Sequence, residues 1–325
     1  MKKYILAFDG GGTKTEVALI DIEGNILFNV IGNGSNHQGM SDDVFLSVIG
    51  GLYQDALNST KLEPSDIDMI YLGLSGADLE SDYKKLYDLC GRIFKTKFII
   101  VNDAWIILRS GLKENYGAVA ICGTGTNSAA VNKMGDKAIL RSLGYTTGTF
   151  GGGLDIARDA LHYAFRCEEK SYMYTRLYDE IPALLGKERL SDCVGLFYPK
   201  NLVNKYQLGS ITALVFDLAL GGDEVSRFIL KKNGESVGYQ TVGVIKRINC
   251  ELNEIPVVVG GRVFSGISDA FIKAFENVLL KECPKAYVVK PRFKPVIGAY
   301  FLGLDELKIK QNEKIENNIL KEVKL

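Results

Sequence analysis

A glycine-rich turn between two apolar runs occurs twice in this chain, and it constrains the fold more than any other feature. The first copy joins residues 4–8 to residues 16–20 through the turn Asp9-Gly10-Gly11-Gly12-Thr13-Lys14-Thr15. The second joins 117–121 to 128–131 through Cys122-Gly123-Thr124-Gly125-Thr126-Asn127, a shift of 113 residues from Gly10 to Gly123. Two short apolar runs around such a turn predict a β-hairpin. Each copy opens about half of the chain, which predicts a duplicated domain with a cleft between the copies.

The remaining pattern predicts an α/β protein. Strand-like runs at 70–74 and 98–101 alternate with helix-like segments at 44–58 and 82–94, which is typical of α/β domains. After residue 131 the pattern is mostly helical, at 154–166, 171–185, 211–219 and 224–248, before a last strand that ends in Gly260-Gly261. The charged, amphipathic stretch 305–325 predicts a terminal helix that is docked or partly frayed.

Charge, hydropathy and cysteine spacing exclude several classes of protein. Lys+Arg and Asp+Glu both number 39, so the basic surplus of a nucleic-acid-binding protein is absent. The apolar runs are all shorter than the 18 or more residues of a membrane span. The six cysteines are not spaced as a zinc or redox motif, and in a chain of this size they predict reduced thiols in the cytoplasm. With only two histidines, a histidine-rich metal site is not expected.

The two glycine-rich turns have the composition of phosphate-binding loops, and a third glycine cluster, Gly260-Gly261, ends a strand. Glycines let backbone amides approach an anion, and a threonine hydroxyl adds a donor. Asp9, at a strand end beside such a turn, can hold Mg²⁺ directly or through water. The glycine spacing in the turn at residues 9–14 is not that of a P-loop, and the turn is followed by a strand and not by a helix. The alternative for this turn is an ordinary tight hairpin. At Gly260-Gly261 the alternatives are a nucleotide and close helix packing.

Asp103 is the candidate catalytic residue. It follows the strand 98–101 and precedes a helix at 104–112, and α/β proteins place ligands at such strand ends. Beside phosphate-binding turns it could accept a hydroxyl proton as a general base. The alternative is a helix N-cap, where Asp is favoured.

Together these motifs resemble the N-acetylglucosamine kinase / BadF-type ATPase family of the actin-like, sugar-kinase and Hsp70 superfamily. The resemblance runs from residue 4 to about residue 304. The motifs that carry it are Asp9-Gly10-Gly11-Gly12-Thr13-Lys14-Thr15, Asn36-His37, Asn102-Asp103-Ala104, Gly123-Thr124-Gly125-Thr126 and Gly260-Gly261.

The resemblance implies two RNase-H-like domains hinged around an ATP cleft. The first domain would comprise residues 1–115 and 296–325, and the second residues 116–295. Phosphates would bind at Asp9, Gly10, Gly11, Gly12, Thr13, Lys14, Gly123, Thr124, Gly125 and Thr126, with Mg²⁺ at Asp9. Adenosine would lie against Gly222, Gly260, Gly261 and Ser265. The sugar would contact Asn36, His37, Tyr145, Thr149 and Asp103, and Asp103 would deprotonate the hydroxyl that is phosphorylated.

One segment departs from the family pattern. Where related sugar kinases carry a tryptophan and an aspartate that contribute to the sugar pocket, this chain has Tyr145 and Thr149. Asn36, His37 and Tyr145 would compensate partly for the missing carboxylate, and the glycines at 151–153 would leave room for a larger ring substituent. The sequence therefore predicts that N-acetylglucosamine is a poor or secondary substrate.

The leading hypothesis is an ATP-dependent kinase of a hexose or amino sugar that resembles N-acetylglucosamine, with ATP and Mg²⁺ required. One alternative is a BadF-type ATPase that activates another enzyme, although such activators need cysteines for an iron–sulfur cluster that bridges a dimer. Another is a non-catalytic regulator that binds sugar or nucleotide. A small-molecule sugar is the expected partner, without nucleic acid or membrane, and a homodimer is left open.

Overall fold

The computed structural model describes residues 3–322. The chain divides into two compact units, one comprising Met1–Gly117 with Lys290–Leu325 and the other Ala118–Val289. They are called unit 1 and unit 2, and each is described by itself.

Unit 1 is built on a mixed five-stranded sheet. Its strands are β1 (Tyr4–Gly10), β2 (Lys14–Asp21), β3 (Ile26–Asn33), β4 (Ile67–Leu74) and β5 (Phe98–Asn102). The order is β3-β2-β1-β4-β5; β1 and β3 are antiparallel to β2, and β1, β4 and β5 run parallel. The carboxyl ends of β1, β3, β4 and β5 therefore lie at one edge of the sheet.

The helices of unit 1 pack on this sheet through apolar side chains. They are α1 (Asp42–Thr60), α2 (Glu80–Ile93), α3 (Asp103–Gly111), α10 (Pro295–Glu306) and α11 (Glu313–Glu322). Phe45, Ile49 and Tyr53 of α1 are buried in the same core as Phe8. Helices α3 and α10 approach closely, since a Cβ at Gly298 would lie only 1.8 Å from the Ile106 carbonyl oxygen.

Unit 2 repeats the mixed five-stranded sheet. Its strands are β6 (Gly117–Cys122), β7 (Thr126–Val131), β8 (Lys137–Ile139), β9 (Ile255–Gly260) and β10 (Ala286–Val289), in the order β10-β9-β6-β7-β8. Strands β6, β9 and β10 are parallel, and β8 is antiparallel to β7. The helices are α4 (Gly153–Glu168), α5 (Leu177–Leu184), α6 (Val194–Phe197), α7 (Lys205–Leu220), α8 (Glu224–Arg247) and α9 (Ala270–Glu282).

Several helix boundaries differ from the sequence prediction. Helix α7 begins at Lys205 and not at residue 211, and the terminal helix α11 begins at Glu313 and not at residue 305. The helix predicted at 171–185 begins only at Leu177, because the Thr175 hydroxyl and the Arg176 amide donate hydrogen bonds to the distant Asp223 carboxylate. The terminal helix buries Ile315 and Ile319, while the predicted residues 323–325 lie outside the described part of the chain. Within residues 3–322, no helix has the length and apolarity needed to cross a bilayer.

Candidate functional site

The first glycine-rich turn connects β1 to β2 in unit 1. The Gly11 amide donates to the Lys14 carbonyl over 2.9 Å, which closes the turn. The carbonyls of Gly10 and Gly11 accept hydrogen bonds from the amides of Ser75 (2.8 Å) and Ser35 (2.9 Å). The segments that follow β3 and β4 are thus bonded to the turn. Gly12, Thr13 and Lys14 remain exposed.

The space at Gly12 is open within the chain. A Cβ at Gly12 would meet no described atom within 4 Å, whereas one at Gly11 would lie 3.3 Å from the Lys14 carbonyl oxygen. Among the described backbone hydrogen bonds, none engages the amide of Gly12 or Thr13. The exposed half of the turn is therefore available to an anion, as expected for a phosphate-binding loop.

Asp9 lies half-buried near the end of β1. Burial raises the pKa of its carboxyl group to about 6, against the positive charge of Lys14, and Glu16 raises it further. A cation placed here would offset the cost of holding that carboxylate charged.

Asp103 is the first residue of α3 and not its cap. The cap is Asn102, whose side-chain oxygen accepts from the Ala104 amide at 3.0 Å. The side-chain amide of Asn102 donates to Asp78 Oδ1 at 2.9 Å and to the Ala77 carbonyl at 3.3 Å. Capping of α3 is thus done by the preceding residue, and the alternative reading of Asp103 as an N-cap is wrong.

The Asp103 carboxyl group is electrostatically perturbed. Burial raises its pKa to about 7, the charges of Asp9 and Asp78 add to the rise, and the amides of Ala104 and Asp103 oppose it. A carboxyl group with a pKa near neutrality is suited to general-base catalysis at physiological pH.

Asn36 and His37 reach the same edge of the sheet from the end of β3. Asn36 is half-buried; its Oδ1 accepts from the Gln38 amide at 2.9 Å and its Nδ2 donates to Ser75 Oγ at 3.3 Å. His37 is buried, with Nε2 2.9 Å from the Gly76 carbonyl oxygen and 3.6 Å from Asp82 Oδ1. His37 therefore fixes the loop after β4, and its Nε2 is engaged inside the protein.

Sequence reasoning missed two residues at this edge. Ser75 contacts both the first turn and Asn36, and Asp78 contacts Asn102 and perturbs Asp103. Ser75 follows β4 directly, so the rule that selected Asp103, a polar side chain after an apolar strand, would also have selected Ser75. Asp78 lies in the loop four residues beyond the end of β4.

The second glycine-rich turn lies in unit 2, between β6 and β7. The Gly123 amide donates to the Gly125 carbonyl at 2.9 Å, and a Cβ at either glycine would meet no described atom within 4 Å. Thr124 is exposed, but Thr126 is buried and its hydroxyl donates to Gln240 Oε1 at 3.0 Å.

The start of α4 packs on this second turn, and this corrects one expectation. The amides of Gly153 and Leu154 donate to the carbonyls of Gly123 and Thr124. A Cβ at Gly152 would lie 2.6 Å from Gly125 Cα, and one at Gly151 2.7 Å from the Asn233 carbonyl oxygen. The prediction that these glycines leave room for a sugar substituent is wrong, because protein backbone fills the space.

Tyr145 and Thr149 occupy different environments in the segment before α4. Tyr145 is 74% exposed and contacts Phe150 edge-to-face, with ring centres 5.7 Å apart. Thr149 is buried, and its hydroxyl oxygen accepts from the Gly144 amide at 2.9 Å. Thr149 thus stabilises the local turn.

The predicted adenosine residues lie at separate positions of unit 2. Gly261 has a φ of +92°, and a Cβ there would lie 2.2 Å from the Cys122 carbonyl oxygen, so the end of β9 packs against the end of β6. Gly222 precedes Asp223, the N-cap of α8, and Ser265 ends a short 3₁₀ turn. A cavity of about 340 Å³ is lined by residues of α7, α8 and α9, including Arg227 and Lys231, but by none of the four predicted residues.

The side chains near the first glycine-rich turn suit a magnesium ion that is shared with substrate phosphates better than a metal ion that is held by protein side chains alone. Within the described residues 3–322 no group of three or more His, Cys, Asp or Glu side chains could enclose a metal ion. Mg²⁺ is usually bound by one or two carboxylates together with substrate phosphates and water. The half-buried Asp9 beside an exposed phosphate-type turn meets that requirement.

The chain is similar to proteins of one family over most of its length. The model of the BadF/BadG/BcrA/BcrD ATPase family matches residues 7–303. An N-acetylmuramic acid/N-acetylglucosamine kinase of Clostridium acetobutylicum is 26% identical over 305 residues, covering 94% of this chain and 99% of the relative. An N-acetyl-D-glucosamine kinase of Dictyostelium discoideum is 27% identical over 323 residues, with the same coverages.

Solved structures confirm the predicted fold class. A candidate N-acetylglucosamine kinase from Chromobacterium violaceum aligns with a TM-score of 0.71 at 18% identity, covering 92% of this chain and 98% of its own. A ROK family glucokinase from Streptomyces griseus, in complex with glucose and AMPPNP, aligns with a TM-score of 0.56 at 16% identity, covering 92% and 98%. The α/β architecture of two actin-like domains is therefore shared with sugar kinases.

Proposed function

Because this chain belongs to the BadF/BadG/BcrA/BcrD ATPase family, we propose that it catalyses the ATP-dependent phosphorylation of a hydroxyl group on an amino sugar. The main support for the proposal is the position and the raised pKa of Asp103. Asp103 lies at the carboxyl end of β5, and burial contributes to raising its pKa to about 7. Its side chain is not needed to cap α3, because Asn102 is the cap. The two curated relatives are kinases of N-acetylated amino sugars, which supports this substrate class.

Asp103 has the chemistry of the base in such a transfer. Its carboxylate would accept the proton of the attacking hydroxyl while it orients the oxygen toward the terminal phosphate of ATP. Asn36 lies at the same edge of the sheet and would bind another sugar hydroxyl. Phosphoryl transfer depends mainly on positioning and charge neutralisation, so a single well-placed carboxylate meets the need for acid–base chemistry.

The glycine-rich turns would bind the phosphates. The open space at Gly12 in unit 1, and at Gly123 and Gly125 in unit 2, supports the assignment of both turns to phosphate binding. Asp9 would hold Mg²⁺, directly or through water, and the ion would neutralise phosphate charge. The roles of Gly222, Gly260, Gly261 and Ser265 beside the adenosine are proposed from the family motif.

The cellular location of the enzyme follows from its proposed substrate and from its cysteines. ATP is a cytoplasmic substrate, and all six cysteines are free, so we place the enzyme in the cytoplasm. A homodimer is compatible with this proposal but is not needed for it.

The decisive experiment measures ADP release with Mg-ATP and a panel of sugars, followed by ³¹P NMR of the product. Sugar-dependent ADP release with a new sugar phosphate supports the kinase. ADP release without sugar dependence, in an iron-containing protein, would overturn it in favour of an ATPase activator. Sugar binding in calorimetry without any turnover would overturn it in favour of a regulator.

Magnesium binding is tested separately through Asp9. In the Asp9→Ala variant we expect the Mg²⁺ concentration needed for half-maximal nucleotide binding to rise about 10-fold or more, since a carboxylate ligand is lost. An unchanged Mg²⁺ dependence in titration calorimetry would remove Asp9 from the metal site.

A further inference from the structure

Unit 2 contains a second cavity, of about 520 Å³, apart from the glycine-rich turns. It lies between the segment before α4, helix α4 and helix α8. Its lining includes Tyr145, Phe150, Asp159, Tyr163, Lys232 and Ser236. We call it the Lys232 pocket. Its volume is within the range of small-molecule binding sites.

Aromatic rings form much of the wall of the Lys232 pocket. Tyr145 is 74% exposed, although it contacts Phe150 edge-to-face. Tyr163 of α4 contacts the ring of His162, which also lines the pocket, with centres 5.1 Å apart. Aromatic walls combined with a few polar groups are typical of small-molecule sites, and the flat apolar face of a sugar ring packs on such side chains.

The polar group in the pocket is an ion pair. Lys232 Nζ lies 2.9 Å from Asp159 Oδ1 and 3.0 Å from Oδ2, and 4.9 Å from the centre of the Phe150 ring. Asn233 Nδ2 also donates to Asp159 Oδ2 at 3.0 Å. The pair is electrically neutral and presents an acceptor beside a donor. That combination suits the neighbouring hydroxyls of an uncharged sugar better than it suits an anion.

The pocket wall is bonded to the strand that follows the second glycine-rich turn. The Phe150 carbonyl accepts from Ser236 Oγ at 2.8 Å and from Gln240 Nε2 at 2.5 Å. Gln240 Oε1 in turn accepts from the hydroxyl of Thr126, the first residue of β7. The position of the pocket is thus fixed relative to the turn that we assign to phosphate binding.

We propose that the Lys232 pocket is a carbohydrate subsite that determines the sugar specificity of the enzyme. An uncharged N-acetylated hexosamine ring would pack against Tyr145 and share its hydroxyls between Asp159 and Lys232. Asp159 thereby supplies, from α4, the carboxylate that is missing at Thr149. This inference rests on the proposed function, because it names residues that select the sugar acceptor.

The test must distinguish sugar binding from a purely structural role of the Asp159–Lys232 ion pair, which links α4 to α8. The variants are Asp159→Asn, Lys232→Met and Tyr145→Ala; the last removes an exposed ring and leaves the ion pair intact. Lys246→Met is the matched control, since Lys246 also lies on α8 and pairs with Glu282 at 2.7 Å but does not line the pocket. For each protein, the KM for N-acetylglucosamine, the KM for ATP, kcat and the melting temperature are measured.

We expect the KM for N-acetylglucosamine to rise about 10-fold or more in Asp159→Asn and Lys232→Met, because hydrogen bonds to charged groups are lost. Tyr145→Ala should raise it several-fold. The KM for ATP should stay within about twofold, and Lys246→Met should resemble the wild type. An unchanged sugar KM in all three variants, or an equal rise for ATP, would overturn the subsite.

Failure of the subsite and failure of the kinase proposal give different results. Binding of N-acetylglucosamine by calorimetry is compared between the wild type and Asp159→Asn. If the wild type phosphorylates no sugar but Asp159→Asn abolishes sugar binding, the kinase proposal fails and the subsite stands. If the wild type is an active kinase and Asp159→Asn binds sugar normally, the subsite alone fails.

Discussion

Asn102 donates a hydrogen bond from its side-chain amide to Asp78 Oδ1 over 2.9 Å, while the oxygen of the same amide caps helix α3 at Ala104. One side chain therefore fixes the start of α3 and holds a second carboxylate near Asp103. Burial raises the pKa of Asp103, and the nearby negative charges of Asp9 and Asp78 raise it further. Such unfavourable electrostatics are typical of functional sites.

The first prediction concerns turnover. Asp103→Asn removes the proposed base but leaves the Asn102 cap in place, so we expect the fold and Mg-ATP binding to be retained while kcat falls about 10²-fold or more. Asp42→Asn is the matched control, since Asp42 is also the first residue of its helix after a polar cap, Ser41. Equal activity of the two variants in a coupled ADP assay would show that Asp103 has no catalytic role.

The second prediction concerns the pH dependence of catalysis. A base with a pKa of about 7 accepts a proton only when it is ionised. We therefore expect kcat/KM for the sugar to rise with pH, to bend near pH 7 and to level off above it. The profile of the residual activity of Asp103→Asn should lack this bend. A wild-type profile that is flat from pH 5 to pH 9 would contradict the assignment.

The third prediction concerns stability. The pKa of Asp103 is about 7 in the folded protein and 3.8 for an ordinary Asp, so between these values the folded state binds more protons than the unfolded state. Linkage then requires the contribution of Asp103 to the free energy of unfolding to fall as pH rises from about 4 to 7. Asp103→Asn removes this penalty.

The stability of Asp103→Asn relative to wild type is measured by thermal unfolding at pH 5, 6, 7 and 8. We expect the variant to be the more stable protein at pH 8, with an advantage that shrinks toward pH 5. An advantage that grows as the pH falls would have the wrong sign and would contradict a buried carboxyl group at this position.

The sequence was sufficient for the hairpins, because strand alternation and turn chemistry are local. It also indicated Asp103, since a strand end followed by a helix start is local as well. It could not assign the cap of α3, because Asn102 and Asp103 both have the right chemistry, and the choice depends on the distant contact of Asn102 with Asp78.

Other features depend on contacts between distant segments and were not readable from the sequence. The glycines at 151–153 suggested open space, but the structure fills it with the backbone of the second turn and of α8. The ion pair of Asp159 with Lys232 joins residues 73 positions apart, with no periodic pattern to connect them.

The fourth prediction concerns phosphate binding at the first turn. A methyl group at Gly12 would meet no described protein atom within 4 Å, so Gly12→Ala should fold normally but place its Cβ where a phosphate is expected to bind. We expect the Kd for Mg-ATP to rise about 10-fold or more. Gly91→Ala is the control, since Gly91 is an exposed residue of α2 with equally open space. Equal Mg-ATP affinity of both variants in calorimetry would place the nucleotide elsewhere.

The fifth prediction concerns the sugar. Thr149 stands where related kinases carry an aspartate, and its hydroxyl oxygen is already engaged by the Gly144 amide. A hydrogen bond to a charged group contributes roughly 1.5–3 kcal/mol. If Asp159 replaces the missing carboxylate only in part, the kcat/KM for N-acetylglucosamine should fall by about 10- to 100-fold. We therefore expect a differently substituted, uncharged amino sugar to have the higher kcat/KM in a panel of hexoses and amino sugars. If N-acetylglucosamine exceeds every other sugar with a micromolar KM, the substitution at Thr149 does not limit the enzyme, and Asp159 or another group replaces the missing carboxylate fully.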